Sequence, residues 1–340
     1  MDHAELPLVL TLGDPAGIGL DITLLAWLAR EHEAIPPFVL LGDPTVLEER
    51  AEALGLGVPV ATIAETEAAE GRFAEELPVL PVPVAGTVVA GRPDPAAVPA
   101  VQQSIEQAVR LVKDGEARAM VTNPISKAML YCGGFAFPGH TEYLASLAAA
   151  GGQTPHPVMM LAAGPLRIVP ATIHIPLKDV PGALTKELVL ATIAIADADL
   201  RRHFGIARPR IAVTGLNPHA GEDGGLGREE IDVIAPAIEA ARVRGLDATG
   251  PHPADTLFHD AARATYDVAI CMYHDQALVP FKTLAFADGV NVTLGLPFIR
   301  TSPDHGTAFA IAGTGKASPR SLIEALRLAD AMSRASEERA

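Results

Sequence analysis

Three apolar segments of this 340-residue chain run into a histidine: "LRIVPATIH" ends at His174, "RIAVTGLNPH" at His219 and "YDVAICMYH" at His274. Strand-like runs that finish on a side chain able to bind metal or move protons invite a chemical reading. In open α/β sheets ligands bind beyond the carboxyl ends of the strands, where residues from different strands converge. Three neutral imidazoles around one cation with a position left open make a catalytic divalent-metal site. The spacings of 45 and 55 residues form no local motif, so convergence depends on the fold. For one such histidine, a capping or hydrogen-bonding role is the commoner explanation. The shared strand-end placement of three turns the balance towards a metal. His3, His32, His156, His203, His252 and His259 have no such placement and read as ordinary polar residues.

A second constellation suits an anion. "FPGHTEYLA" sets His140 and Thr141 at the start of a helical pattern, where free N–H groups and the positive end of the helix dipole favour negative charge. For a lone Thr such as Thr141 an N-cap is the commoner role. "GVNVTLGLPFIRTSPDHGTA" carries Asn291 and Arg300, with Lys282 upstream in "YHDQALVPFK". The planar fork of Arg and the point charge of Lys are the usual clamps on phosphate or carboxylate. Each is an ordinary surface charge if taken singly, but apolar, Gly-punctuated surroundings argue against idle exposure. The loop "TLGDPAGIGLD" lies between a strand and a helix, as a phosphate cradle would. A tight turn whose glycines permit close packing fits it as well.

The elements that must position these residues alternate. "LPLVLTLG", "PFVLLGD", "ARAMVTNP" and the three histidine-ended segments read as strands, and 18–31, 98–113, 141–150, 185–204, 228–244 and 318–335 as helices. Such alternation predicts an α/β protein with largely parallel sheets covered by helices on both faces. The Pro- and Gly-rich stretch 78–99 reads as a connector or edge element. The length suits two domains. With 26 Lys and Arg against 41 Asp and Glu, the net charge of −15 disfavours nucleic acid and acidic membranes as partners. Cys132 and Cys271 are too far apart to suggest a disulfide framework, which fits a reducing, cytoplasmic location. No basic, apolar leader opens the sequence and no apolar run is long enough to span a bilayer.

Taken together, "GDPAGIG", "TNPISK", "FPGHTEYL", "LNPHAGEDGGLGREEID", "YHDQALVPFK" and "GVNVTLGLPFIRTSPDHGTAFAIAGTGKA" closely resemble the 4-hydroxythreonine-4-phosphate dehydrogenase family of vitamin B6 biosynthesis, over nearly the whole chain. The resemblance implies a two-domain fold like that of isocitrate and isopropylmalate dehydrogenases, with the active site in the interdomain cleft. It also implies a homodimer with shared active sites, NAD or NADP, and one divalent cation (Zn, Mg or Co). The expected domains are a discontinuous cofactor-side domain, 1–130 plus 300–340, and a metal, substrate and dimerisation domain, 131–299. The family's metal ligands fall on His174, His219 and His274, and its substrate-binding residues on His140, Thr141, Lys282, Asn291 and Arg300. Lys282 and Asp255 are candidates for proton transfer by charge and position.

The segment "HGTAFAIAGTGKA" resembles the adenine-ribose loop of the wider decarboxylating dehydrogenase superfamily, placing His305, Gly306, Thr307, Ala308 and Gly313 at the cofactor. Ala310 stands where relatives carry an acid that could accept from a ribose hydroxyl, and Leu20 where the family has Pro. The implied reaction oxidises 4-phosphooxy-L-threonine at C3 and then decarboxylates it. A paralogue acting on D-threonate or D-erythronate 4-phosphate and a metal-dependent hydrolase are the alternatives.

Overall fold

The computed structural model describes residues 6–137 and 139–338, so His3, Pro138 and the last two residues lie outside the described part. Two compact units divide the described residues: 158–295 form the second, and the first combines those from residue 6 up to 157 with 296–338. Residues 131–157, assigned from sequence to the second domain, pack within the first. The reason is aromatic: Tyr143 meets the rings of Phe135 and Phe137 at 5.0 Å, and its hydroxyl donates to Glu106 at 2.6 Å on the helix Val98–Lys113.

The first unit contains β1 (Leu8–Thr11), β2 (Phe38–Gly42), β3 (Val60–Thr62), β4 (Leu77–Pro81), β5 (Met120–Val121) and, after the second unit, β12 (Arg300–Pro303). They lie in the order β3-β4-β2-β1-β5-β12, every pairing parallel. Leu8, Val9 and Leu10 are fully buried, as are Phe38 to Leu41, as a strand covered on both faces requires. Each such side chain contributes about 1.5–3 kcal/mol by leaving water. The helix Val98–Lys113 buries Val98, Val101, Ile105, Ala108 and Val109, the stripe of an amphipathic helix. Its buried Ser104 accepts from Leu12 N–H and donates to Leu41 C=O, tying the helix to two strands.

The Pro-rich stretch expected at an edge instead opens with β4, which lies between β3 and β2. Pro78 precedes the first β2 pair, Leu40 with Val79, and Pro81 follows the last β3 pair, Thr62 with Val79. Each proline stands where its missing N–H costs the ladder little.

The second unit contains β6 (Val158–Ala163), β7 (Leu166–Pro170), β8 (Arg210–Thr214), β9 (Asp247–His252), β10 (Val268–Cys271) and β11 (Val290–Leu294), in the order β11-β6-β7-β10-β8-β9. The β6–β7 hairpin and the β11–β6 pair are antiparallel, and β7, β10, β8 and β9 run parallel. The helix Lys186–His203 starts on Thr185, whose hydroxyl accepts from Leu188 N–H at 3.1 Å. Among the described residues no helix is long and apolar enough to cross a membrane. Both cysteines are free, Cys132 exposed and Cys271 buried.

Candidate active site

In the first unit, parallel pairing of β12 with β5 sets Arg300 against Met120 and so next to Thr122, just beyond the end of β5. Arg300 is buried, and its Nη2 donates to Thr122 Oγ1 at 2.6 Å and approaches His140 Nδ1 at 3.4 Å. A guanidinium has only donors, so Nδ1 must accept and the ring proton of neutral His140 sits on Nε2. That Nε2 is buried and has no hydrogen-bond partner among the described residues. Burial, reinforced by the charges of Arg300 and Lys127, holds His140 well below the ordinary imidazole range. Burial also pushes the Arg300 guanidinium down to about 10, which leaves it charged at neutral pH. The arrangement is a fixed cation beside an idle N–H donor, which an incoming anion satisfies.

Thr141 is the second residue of the helix His140–Ala148, whose N-cap is Gly139, so the alternative of Thr141 as the cap does not hold. Lys127 and Thr122, which sequence reasoning did not single out, complete the neighbourhood. Both lie in or beside "TNPISK", a motif noted for its resemblance only.

The remaining glycine-rich segments of this unit meet each other. Ile18 N–H donates to Thr307 C=O at 3.0 Å, and a Cβ at Gly17 would lie 2.9 Å from that oxygen. Gly91, at φ 78°, would set a Cβ 2.9 Å from Phe309 C=O. Gly313 N–H donates to Asp21 at 2.7 Å, and buried Asp21 pairs with buried Arg50, which also donates to Gly17 C=O and Pro15 C=O. Close approach is thus one job of the glycines in "TLGDPAGIGLD". Above this support, His305, Gly306 and Ala308 are exposed, Ala308 in the left-handed region at φ 43°. An exposed loop held from beneath suits a ligand laid across it.

In the second unit, His174, His219 and His274 follow the carboxyl ends of β7, β8 and β10, three parallel strands with β10 in the middle. His174 and His274 come together, ring centroids 5.7 Å apart, on a cavity of about 240 Å³ lined also by Thr172, Leu177, Tyr273 and Asp275. His274 Nδ1 lies 2.7 Å from Asp275 Oδ1, a contact that orients the ring. His219 is turned elsewhere: its Nδ1 meets Glu222 Oε1 at 2.5 Å, and that hydrogen bond raises its pKa. Among the described residues no group of three His, Cys, Asp or Glu is gathered closely enough to hold a metal ion. The structure therefore assembles two of the three histidines expected together.

The cause is local. Residues 219–223 are all left-handed, with φ between 43° and 85°. Four of them are not glycine, and such a turn survives only when its surroundings impose it. Buried Glu230 does so, accepting from the N–H groups of Leu216 and Asn217 at 2.8 Å and from Asn217 Nδ2 at 3.0 Å.

Asp255 lies close enough to His219 to help raise its pKa. Lys282, two turns beyond His274 on the helix His274–Ala285, sets Nζ 5.3 Å from the Phe286 ring centroid. Asn291 lies on β11, opposite Leu161. Of the histidines read as ordinary, His252 meets Thr249 Oγ1 at 2.9 Å, His259 caps the helix Asp260–Arg263 and His203 is buried.

The family model described as "Pyridoxal phosphate biosynthetic protein PdxA" matches residues 33–329. The chain belongs to the PdxA family. It is 58% identical over 327 residues to the 4-hydroxythreonine-4-phosphate dehydrogenase of Xanthobacter autotrophicus, covering 96% of this chain and 93% of that one. The crystal structure of the corresponding dehydrogenase from Klebsiella pneumoniae superposes with a TM-score of 0.85 at 37% identity, over 96% of this chain and 99% of that one. A terephthalate 1,2-cis-dihydrodiol dehydrogenase from Burkholderia xenovorans shares 28% identity at a TM-score of 0.65, over 96% and 98% of the two chains. This PdxA-family chain is a dehydrogenase of pyridoxal phosphate biosynthesis. The hydrolase alternative loses its ground.

Proposed function

We propose that the chain oxidises 4-phosphooxy-L-threonine at C3 with NAD or NADP and decarboxylates the product to 3-amino-2-oxopropyl phosphate. The observation that carries this reading is the buried Arg300 beside the idle Nε2–H of His140, a receptor for an anion in a chain whose net charge is −15. The relatives' names supply the substrate. Arg300, His140 and Thr141, with Lys282 and Asn291, hold the phosphate and carboxylate.

The His174–His274 pair fits two ligands of a divalent cation, Zn, Mg or Co, with His219 as the third once its turn releases Glu222. Such a cation, when bound, supplies Lewis acidity that favours ionisation of the C3 hydroxyl and offsets negative charge on that oxygen. A bound nicotinamide would supply the hydride acceptor for C3, and the hydroxyl proton would pass to a base of the chain, giving the 3-keto acid. The C1–C2 bond then breaks, CO2 departs, and the electron pair left on C2 takes a proton. Lys282 and Asp255 are the groups we assign to these proton movements. His305, Gly306, Thr307, Ala308 and Gly313 carry the dinucleotide, and Ala310, lacking a carboxylate for the ribose, leaves room for NADP as well as NAD.

We place the enzyme in the cytoplasm as a homodimer with shared active sites. Leu177, Val279 and Phe286 of the second unit are exposed apolar side chains that a second copy would cover.

A second reading has support in the dihydrodiol dehydrogenase relative: the same architecture accompanies a different named substrate. Oxidation of D-threonate or D-erythronate 4-phosphate would use the same anion receptor. Absorbance of reduced nicotinamide, followed with each of the three phosphorylated substrates and each dinucleotide, decides. Reduction with 4-phosphooxy-L-threonine at the highest kcat/KM is expected, and none with it but turnover of a sugar-acid phosphate would replace the proposal with the second reading.

A further inference from the structure

The first unit carries a second cation at the same receptor. Lys127 opens the helix Lys127–Cys132, whose cap is Ser126, its hydroxyl accepting from Met129 N–H at 3.3 Å. The side chain reaches the start of the helix His140–Ala148: a Cβ built on Gly139 would lie 3.4 Å from Lys127 Nζ and 3.6 Å from its Cε. The same point is 2.7 Å from Glu142 Oε2, so the bare glycine makes room for both side chains. Among the described residues Lys127 forms no ion pair, although acids outnumber bases 41 to 26 in this chain. Its charge and that of Arg300 act on His140 together, both opposing its protonation. Like charges gathered around one neutral imidazole repel each other, and an anion seated among them removes the penalty.

We infer that Lys127 is a specificity-determining residue, the arm that together with Arg300 and His140 receives the phosphate of the substrate. Charge matching selects the group. Two cations and one N–H donor answer a phosphate monoester, which carries about 1.5–2 negative charges at pH 7 and three acceptor oxygens, whereas a carboxylate, with two oxygens, leaves one of the three donors unanswered. Arg supplies the fork and Lys the point charge. The inference rests on the proposed reaction but goes beyond it, because it makes one residue responsible for the demand that the substrate be phosphorylated.

The test uses the full-length, metal-loaded enzyme and the substitutions Lys127→Met and Lys127→Arg, at an exposed position where neither should disturb folding. With 4-phosphooxy-L-threonine, Lys127→Met should raise KM roughly ten- to a hundredfold, the loss of one charge-assisted hydrogen bond. Its preference for the phosphorylated over the unphosphorylated substrate, as a ratio of kcat/KM, should fall by a similar factor. Lys127→Arg should recover most of both, and KM for the dinucleotide should stay within twofold. An unchanged substrate KM, an equal loss with both substrates, or a loss confined to the dinucleotide overturns the assignment.

Calorimetric titration with inorganic phosphate keeps this test apart from the reaction itself. Should the wild type oxidise neither compound, the proposed function falls, and Lys127 is then decided by phosphate alone. Weaker binding to Lys127→Met upholds it and equal binding overturns it.

Discussion

Replacing Arg300 by Ala removes the one buried guanidinium of the anion receptor and alters two things at once. The first is binding. A hydrogen bond to a charged group contributes about 1.5–3 kcal/mol, and 1.4 kcal/mol is tenfold, so kcat/KM for the phosphorylated substrate should fall roughly 10- to 150-fold. The second is the state of His140. Its low pKa comes first from burial and then from the charges of Arg300 and Lys127, so losing Arg300 must raise it. In the wild type His140 is neutral from pH 6 to 8, because its pKa lies well below 6.5. In Arg300→Ala one of the two charges that oppose protonation is gone while burial, the larger cause, still acts, so the His140 pKa moves up and what protonation it gains falls at the acid end, where a cation at that position partly replaces the lost one. The deficit should therefore shrink as pH falls from 8 to 6. Steady-state rates from nicotinamide absorbance across that range, on variant and wild type together, measure it, with KM for the dinucleotide as the control. A deficit that is constant or grows towards acid would refute the coupling of Arg300 to His140. A normal substrate KM with lost dinucleotide affinity would move Arg300 to the cofactor site.

Three other expectations concern the scaffold. Burial pushes His203 down to about 4 from 6.5. Between those pH values the unfolded chain binds the proton and the folded one does not, so stability is lost as pH falls through that window, by about 3 kcal/mol at most. His203→Gln should flatten the pH dependence by about 2–2.5 kcal/mol in urea melts at pH 7 and pH 4.5, the part of the window those two values span, and an unchanged slope would contradict it. Gly91→Ala forces a left-handed alanine against Phe309 C=O, which should cost about 1–2 kcal/mol and raise KM for the dinucleotide several-fold while leaving substrate KM near normal; the reverse pattern would detach Gly91 from the cofactor loop. Arg50→Met strands the buried carboxylate of Asp21 and should cost about 3–5 kcal/mol by chemical denaturation, where a loss below 1 kcal/mol would show that the pair is solvated.

The six strands visible in the sequence are β1, β2, β5, β7, β8 and β10, each with at least one parallel neighbour. Burial on both faces turns such strands into unbroken apolar runs, and that made them legible. β9, "DATGPH", contains Asp, Gly and Pro, and β12, "RTSP", has no aliphatic or aromatic residue besides its closing proline but is wholly buried. Nothing in three polar residues and a proline announces burial. It follows from the neighbours they acquire, above all Thr122 and His140 around Arg300. The 131–157 segment was misplaced for a similar reason, since the Tyr143 hydroxyl's partner, Glu106, lies 37 residues away in sequence.

The candidate site divides along the same line. Which strands carry the histidines was legible, because a chain that leaves a parallel strand must pass its carboxyl edge. Where the rings point was not, because five successive left-handed residues and the buried Glu230 turn His219 towards Glu222, and no periodicity encodes that. The anion receptor shows the difference most sharply. Arg300 and Thr122 are 178 residues apart and meet only because Arg300 pairs with Met120 in the parallel register of β12 on β5. A register slip of one residue would turn the guanidinium to the opposite face of the sheet and leave His140 Nδ1 without its donor. The anion site we propose in this acidic chain thus depends on a strand pairing of two residues, Arg300 with Met120 and Thr301 with Val121.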